Sequence, residues 1–382
     1  MKYDFDQIIS RKETYSTKWL KFSNDDVIPM WIADMDYICP PEITSAMSER
    51  IAQGIFGYSE IPSNLTEVFV NNVKNNSGWS IEKDWVVWIP GGVVGLNVTC
   101  KTVLAPGEIA MVPSPIYAPF TEAPENMERG FIKTHLFDSQ GRLEFDMDAI
   151  ETLLTEETKL FFLCNPQNPG GTVFSENELK ELSKVCEERN IIVCSDEIHS
   201  DLILEEGLKH IPFASLSKYN ENNSITIMGP CKTFNIAGFP IAAAIIPNEM
   251  LREDFKRNTK GIVAHIDNIA FVAAEAAYSA AQEWYLELLQ YLKSNRNLLQ
   301  ERLNNIDGLS LKGPEAGFLA WIDCSESGLD NPANFFIEEA GVGVYDGAWF
   351  GDKNYVRLNF GCPKSVLEEA LNRIEKAFSQ RN

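Results

Sequence analysis

The sequence predicts an α/β fold: a large domain with a mostly parallel, seven-stranded sheet flanked by helices, and a smaller α+β domain. A chain of 382 residues is long enough for about two domains. Between residues 85 and 247, short apolar runs alternate with segments of helical period, which is typical of βαβ units. The runs are apolar on both faces, as parallel strands between two helix layers are. After Asp267 the pattern changes and long helices dominate, so we expect a second domain in the C-terminal part of the chain, from residue 282.

Individual elements follow from the same patterns. Strands are predicted at residues 85–89, 109–112, 159–164, 191–194, 225–228, 241–246, 318–322 and 355–360. A helix over 175–189 begins with a capping box formed by Ser175 and Glu178. Further helices are predicted at 268–281, 283–304 and 365–378. The large domain is therefore expected at 47–281, and the small domain is expected to combine 1–46 with 282–382.

Acidic side chains dominate the charge: 55 Asp and Glu against 33 Lys and Arg give a formal net charge of −22. Because a polyanion of that size is repelled by nucleic-acid phosphates and anionic membranes, we expect neither as a partner. No apolar run approaches the roughly 18 residues that a membrane span needs, and the first residues lack the apolar core of a signal peptide. Eight scattered cysteines without a CxxC pair indicate reduced thiols in a cytoplasmic protein. Four histidines at unrelated spacings favour no metal site.

Three polar motifs directly follow predicted strands, where ligands of parallel α/β sheets bind. Asn165–Gly171 offers two asparagine side chains on a rigid turn, although a Pro/Gly turn needs no ligand. Ser195–His199 places a carboxylate at a buried strand end, where it needs a cationic partner or caps the next segment. Lys232, between Gly229 and Gly238, is either a solvated lysine or a desolvated amine nucleophile.

Two further features are compatible with an anionic ligand. Gly91, Gly92 and Gly95 lie between a predicted strand and a helix, so backbone N–H groups at the helix start could bind a phosphate or simply form a tight turn. Their spacing matches neither GxGxxG nor GxxxxGK[ST], which argues against a nicotinamide or nucleoside-triphosphate site. Arg357 lies within an apolar strand and therefore needs either a bound carboxylate or a structural ion pair.

Taken together, these motifs resemble the pyridoxal-phosphate enzymes of the aspartate aminotransferase superfamily. Asn168, Asp196 and Lys232 each follow a separate strand, and an arginine follows near the C-terminus. Over essentially the whole chain, the sequence is similar to the cystathionine β-lyase and cystalysin group of C–S lyases. That similarity rests on the segments ADMD (33–36), FGYS (56–59), PSPIY (113–117), NPQNP (165–169), SDEIH (195–199), KTFNIAG (232–238) and VRLNFGCP (356–363).

The resemblance implies a role for each matching residue. Lys232 would bond covalently to the aldehyde of pyridoxal 5′-phosphate, and its amine would later remove the Cα proton of the substrate. Asp196 would pair with the protonated pyridine nitrogen, and Asn168 would donate to the ring hydroxyl. Tyr117 would stack on the ring, and Arg357 would hold the substrate α-carboxylate.

The same resemblance places the remaining contacts. Backbone N–H groups of Gly92 and Val93 would bind the phosphate. Tyr58 would reach the neighbouring active site of a homodimer, and His199 would lie close to the cofactor. Asp34 and Asp36 either contact substrate or order the N-terminal segment.

Two departures from the family pattern concern phosphate binding. Hydroxyl residues are common three positions and one position before the lysine, but here those positions hold Gly229 and Cys231. The arginine found eight residues after the lysine in aspartate aminotransferases is replaced by Pro240. The hydroxyl that the family normally offers to the phosphate is therefore missing here, and the sequence does not identify a replacement for it.

The implied function is α,β-elimination of a sulfur amino acid to pyruvate, ammonia and a thiol. An aminotransferase on the same scaffold is the alternative, because the same lysine, aspartate and arginine serve both reactions. A regulatory binding protein on this fold is a third possibility, and no surface in the sequence marks it.

Overall fold

The computed structural model describes residues 2–139 and 141–381. Its helices are α1 (Thr17–Leu20), α2 (Pro41–Ala52), α3 (Ser63–Ser77), α4 (Gly92–Val103), α5 (Pro119–Asn126), α6 (Met147–Leu153), α7 (Glu176–Arg189), α8 (Lys218–Asn222), α9 (Glu249–Thr259), α10 (Asn268–Ala280), α11 (Gln282–Leu303), α12 (Pro332–Glu338) and α13 (Lys364–Ser379). Its strands are β1 (Ile28–Pro29), β2 (Val86–Ile89), β3 (Ile109–Ser114), β4 (Gly130–Ser139), β5 (Arg142–Phe145), β6 (Thr158–Cys164), β7 (Ile192–Asp196), β8 (Ser224–Met228), β9 (Ala242–Ile245), β10 (Leu319–Asp323), β11 (Val342–Gly343), β12 (Tyr345–Asp346) and β13 (Tyr355–Asn359). Short 3₁₀ turns occupy Lys83–Trp85, Phe213–Leu216 and Gly347–Trp349.

The large sheet has the strand order β2-β9-β8-β7-β6-β3-β4-β5. Strands β8, β7, β6, β3 and β4 pair in parallel, whereas β9 and β5 run antiparallel to their neighbours. Separate apolar clusters cover the sheet, one built around α4 and α5 and another around α7. Because β6, β7 and β8 are parallel neighbours, their carboxyl ends lie along one edge, and the three polar motifs follow them.

The predicted α/β class is confirmed, and the sheet has eight strands rather than the predicted seven. All six strands predicted within it are present, with ends shifted by one or two residues. The unpredicted strands are β4 and β5, which form an antiparallel hairpin at the sheet edge. Strand β4 alternates buried and exposed positions over its second half, so it lacks the continuous apolar run by which buried parallel strands are recognised.

A second, smaller sheet carries Arg357. Strand β13 lies between β10 and β12, antiparallel to both, and Arg357 is opposite Trp321 and Tyr345. Helices α11 and α13 pack against the apolar side of this sheet. The N-terminal segment joins it through β1, which pairs in parallel with β11. The domain boundaries drawn at residues 47 and 281 stay a prediction.

Among the described residues, no helix has both the length and the apolar composition that crossing a bilayer requires.

Candidate active site

A cavity of about 680 Å³ opens at the carboxyl ends of β6, β7 and β8. Eight of the nine predicted site residues line it: Gly92, Val93, Tyr117, Asn168, Asp196, His199, Lys232 and Arg357. Tyr58 does not; its side chain is fully exposed on the same chain. The structure therefore brings together residues from positions 92 to 357 of the chain.

Lys232 presents an amine without a carboxylate partner. It lies in the loop after β8, and Nζ donates one hydrogen bond, of 2.7 Å, to the carbonyl oxygen of Ala33. It forms no salt bridge with any described residue. Burial, helped by the nearby Arg357 guanidinium, lowers the pKa of the amine, so a larger fraction is neutral and nucleophilic than for a solvated lysine.

Asp196 presents the opposite case, a carboxylate without a cation. As the last residue of β7, it accepts one hydrogen bond through Oδ1, from the backbone N–H of Ile198 at 3.1 Å. Burial is the main cause that raises the pKa of the carboxyl to about 6; the adjacent Glu197 acts in the same direction, whereas the hydrogen bond from Ile198 and the charge of Lys232 oppose the shift. A buried carboxylate in this state is stabilised by a protonated nitrogen brought into the cavity.

We expect Asp196→Asn to stabilise the cofactor-free protein at high pH. The pKa of this carboxyl is 3.8 in the unfolded chain and about 6 in the folded one. The free energy of unfolding therefore falls as the pH rises between those two values, because ionisation of the carboxyl is less favourable in the folded protein. At pH 8 the neutral amide avoids this penalty, so the free energy of unfolding should rise by about 1–3 kcal/mol, with little change near pH 4. Urea unfolding of the apoprotein at both pH values measures this. The matched control is Asp330→Asn, at an exposed position, and destabilisation of the Asp196→Asn variant at pH 8 would contradict the assignment.

Asn168 and Arg357 interact directly. The guanidinium donates through Nη1 to Asn168 Oδ1 at 2.9 Å and through Nη2 to the carbonyl of Trp31 at 3.1 Å, while its Nε is buried without a partner. Because the amide oxygen of Asn168 is occupied, its NH₂ group is free to donate to a ligand. Burial lowers the pKa of Arg357 to about 10, so it remains a cation at neutral pH and lacks a carboxylate partner in the described residues.

His199 lines the cavity as a neutral imidazole. Burial lowers its pKa to about 3, and the charges of Lys232 and Arg357 act in the same direction. Its Nδ1 is buried without a hydrogen-bond partner, and its ring contacts Phe318 edge-on with centroids 6.0 Å apart. The predicted place of His199 at the site agrees with this arrangement, and its neutral state excludes an ion-pair role at physiological pH.

The start of α4 offers backbone donors to the cavity. Gly91 precedes the helix with φ +100°, a conformation that side chains rarely adopt. A Cβ at Gly92 would overlap the side chain of Ile198. Free N–H groups at a helix start attract anions, and the first residues of α4, Gly92 to Val94, line the cavity.

Sequence reasoning missed the role of the N-terminal strap, defined here as Trp31–Asp36, of which residues 31–34 line the cavity. Its contribution is made by backbone carbonyls: Trp31 binds Arg357, Ala33 binds Lys232, and Ile32 and Asp34 each accept from the amide of Asn359 at 2.6 Å. A contact made by a backbone carbonyl leaves no pattern in the side chains. The motif ADMD (33–36) was therefore the only sequence signal for this segment.

The acidic residues of the strap order the N-terminal segment. Asp34 accepts from Arg11 at 2.9 Å, and Asp36 contacts both Arg11 at 2.7 Å and the buried Lys18 at 2.6 Å. These ion pairs lower the pKa of Asp36 against the opposing effect of burial. Of the two alternatives left open by the sequence, ordering of the segment is the one that these contacts support.

Comparisons with known proteins agree with this geometry. Residues 25–374 match the family model described as aminotransferase class I and II. Cystathionine β-lyase PatB of Bacillus subtilis is 35% identical, with 98% of this chain and 100% of that protein covered. The crystal structure of a protein named OvoB has 42% identity and a TM-score of 0.96, covering 99% of both chains. Cystalysin from Treponema denticola, whose crystal structure contains pyridoxal 5′-phosphate, has 28% identity and a TM-score of 0.95, with complete coverage of both chains.

This chain belongs to the aminotransferase class I and II family. The predicted family is thereby confirmed, together with its enzymatic nature and its dependence on pyridoxal 5′-phosphate. The roles of the individual site residues stay predictions.

Proposed function

We propose that this protein is a pyridoxal-phosphate-dependent C–S β-lyase, which cleaves a sulfur amino acid to pyruvate, ammonia and a thiol. The observation that carries the proposal is that three ionisable groups without ion-pair partners line one cavity. They are the amine of Lys232, the carboxylate of Asp196 and the guanidinium of Arg357. The similarity to a protein named cystathionine β-lyase over the full length of both chains supports the choice of reaction.

The residues present fit the cofactor. Asp196 lacks a cationic partner among the described residues and would hold the pyridinium nitrogen, while the free NH₂ group of Asn168 would donate to the ring hydroxyl. Tyr117 lies beside Trp349, with ring centroids 5.5 Å apart, and would cover one face of the ring. Backbone N–H groups of Gly92 and Val93 would bind the phosphate. When bound, pyridoxal phosphate supplies an electron sink for the charge left on Cα after proton loss.

The chain's own residues supply orientation and proton transfer. Arg357 would bind the substrate α-carboxylate through its two Nη groups, in exchange for its contacts to Asn168 and Trp31. Lys232, whose amine is biased toward the neutral form, would take the Cα proton. The Ala33 carbonyl accepts a hydrogen bond from Nζ at 2.7 Å and would hold the amine in position for this proton transfer.

Incubation of the holoenzyme with L-cystathionine tests the proposal. We expect stoichiometric pyruvate and ammonia, with pyruvate followed by a coupled lactate dehydrogenase assay and the thiol by a chromogenic disulfide. A parallel reaction contains a 2-oxo acid as amino acceptor. Formation of a new amino acid without pyruvate would contradict lyase activity and favour the aminotransferase alternative.

The functional unit we propose is a homodimer in which Tyr58 completes the partner's site. Tyr58 is fully exposed and lies in a stretch with three other exposed apolar side chains, Ile55, Phe56 and Ile61. Exposed apolar clusters of this kind mark interaction surfaces. An active site shared between two copies accounts for an aromatic residue held away from its own cavity.

Mixing an impaired variant with an inactive one checks this arrangement. Tyr58→Ala should lower kcat/KM by about 10–100-fold, because a ligand contact is lost, and Lys232→Ala should be inactive. After the two variants are mixed and refolded, random pairing gives hybrid dimers with one intact site, so about a quarter of wild-type activity should return. A mixture no more active than its components would show that Tyr58 does not act across the dimer.

We also propose a cytoplasmic location. All eight cysteines lie in the described part of the chain and are free, as in proteins of a reducing compartment.

A further inference from the structure

Asn359 connects the small sheet to the N-terminal strap. It is the last residue of β13, two positions after Arg357, and its side chain is fully buried. Because side chains two positions apart on a strand share a face, Asn359 and Arg357 lie on the same side of the sheet, and both contact the strap. Asn359 does not line the cavity, so it can influence the reaction only through other residues.

Both ends of the Asn359 carboxamide are hydrogen-bonded. Nδ2 donates to the carbonyl oxygens of Ile32 and Asp34, each at 2.6 Å. Oδ1 accepts from the backbone N–H of Gly361 at 2.8 Å. Because that backbone group is a donor, its partner must be the amide oxygen, which fixes the orientation of the carboxamide. Both amide hydrogens therefore point to the strap.

The two carbonyls that Asn359 holds flank Ala33. The backbone N–H of Asp34 donates to the carbonyl of Ile32 at 3.0 Å, which closes a three-residue γ-turn with Ala33 at its centre. The carbonyl of Ala33 is the one that accepts from Lys232 Nζ at 2.7 Å. Hydrogen bonds on both sides of one residue restrain the peptide group between them, so the Asn359 amide holds the group that carries this carbonyl.

Other contacts hold the strap independently of Asn359. The side chain of Asp34 pairs with Arg11 at 2.9 Å. The carboxamide of Asn235 accepts from the backbone N–H of Met35 and donates to its carbonyl, both at 3.0 Å. We therefore expect the strap to stay in place when the Asn359 amide is removed, and the γ-turn to lose its support.

We infer that Asn359 is a positioning residue for the Lys232 amine, because it holds the γ-turn that keeps the Ala33 carbonyl at Nζ. Strand β13 then serves two steps: Arg357 would bind the α-carboxylate, and Asn359 would place the proton acceptor. A carbonyl bonds more strongly to an ammonium group than to a neutral amine, so a well-placed Ala33 carbonyl strengthens Lys232 as a base. The inference rests on the proposed function in taking Lys232 as the acceptor of the Cα proton.

The pKa of the Lys232 amine in the cofactor-free, full-length chain tests the inference without any turnover. Trace acetic anhydride acylates only neutral amines, so the yield of acetylated Lys232 peptide at a series of pH values gives the pKa. The variants are Asn359→Ala and Asn359→Leu, of which the second fills the vacated volume. They change none of the ionisable groups that face the amine, which are Asp34, Asp196, His199, Cys231 and Arg357.

The matched control is Asn295→Ala. Asn295 is as deeply buried and donates to the carbonyls of Phe360 and Cys362 at 3.2 and 2.8 Å, but it makes no hydrogen bond to the strap within the described residues. Both Asn359 variants should lower the pKa of the amine by about one unit, and the control should leave it unchanged. An unchanged pKa in folded Asn359→Leu, or an equal shift in the control, would overturn the inference.

Exchange of the Cα hydrogen of L-alanine with D₂O, followed by NMR on the holoenzyme, isolates the proton transfer because L-alanine has no β-leaving group. Both Asn359 variants should lower kcat for exchange about three- to tenfold with little change in KM. A raised KM with unchanged kcat would show that Asn359 acts through Arg357 alone and would contradict the inference. Wild type that exchanges this hydrogen but releases no pyruvate from L-cystathionine would overturn the proposed function and leave the role of Asn359 intact.

Discussion

Replacing Lys232 by alanine should lower pyruvate release by more than about 10³-fold, equivalent to about 4 kcal/mol of transition-state stabilisation. The reason is that one amine serves both as the covalent attachment point and as the proton acceptor, and no other lysine lines the cavity within the described residues. The visible absorption of the holoenzyme should also be lost, and borohydride should no longer fix the cofactor to the chain. Activity assays, absorption spectra and peptide mass mapping measure the three effects.

The control for this variant is Lys218→Ala, whose side chain lies exposed on α8. It should keep both activity and spectrum. Circular dichroism of both variants establishes that they fold. If mass mapping of borohydride-reduced wild type finds the label on a lysine other than Lys232, the assignment of the site is wrong.

Replacing Arg357 by leucine should lower kcat/KM for amino-acid substrates by about 10²–10³-fold, because a desolvated carboxylate loses its cationic partner. Arg357 is 2% exposed, and its guanidinium packs over Phe350 with Cζ 4.5 Å from the ring centroid, so leucine keeps much of the apolar contact. Arg357→Lys retains the charge but not the paired donors, and should recover only part of the loss.

A substrate whose α-carboxylate is methylated distinguishes loss of carboxylate recognition from structural damage in the Arg357 variant. Wild type should discriminate strongly against the ester, and Arg357→Leu should process ester and acid with similar kcat/KM. A leucine variant that preserves the wild-type preference for the acid would contradict the assignment, whatever its overall activity. Thermal unfolding of the variant reports separately on the contacts to Asn168 and Trp31.

Three of the predicted site residues share one physical feature. Asn168 and Lys232 each follow a parallel strand and Asp196 is the last residue of one, and neighbouring parallel strands end at the same sheet edge. Order along the chain therefore predicts proximity in space. The hairpin of β4 and β5 was missed because half of β4 faces solvent, and its alternating pattern is weaker than that of a buried strand.

The amino-acid order was sufficient to predict the α/β class and the family, and eight of the nine site residues it predicted line the cavity, because strand and loop patterns are local and the motifs are side-chain motifs. Folding in three dimensions added the N-terminal strap, whose carbonyls at Ala33 and Trp31 contact Lys232 and Arg357 across separations of 199 and 326 residues. It also set the pKa values of the site, because desolvation depends on everything packed around a group. Backbone carbonyls and burial have no signature in a single sequence, since both arise only when distant segments meet.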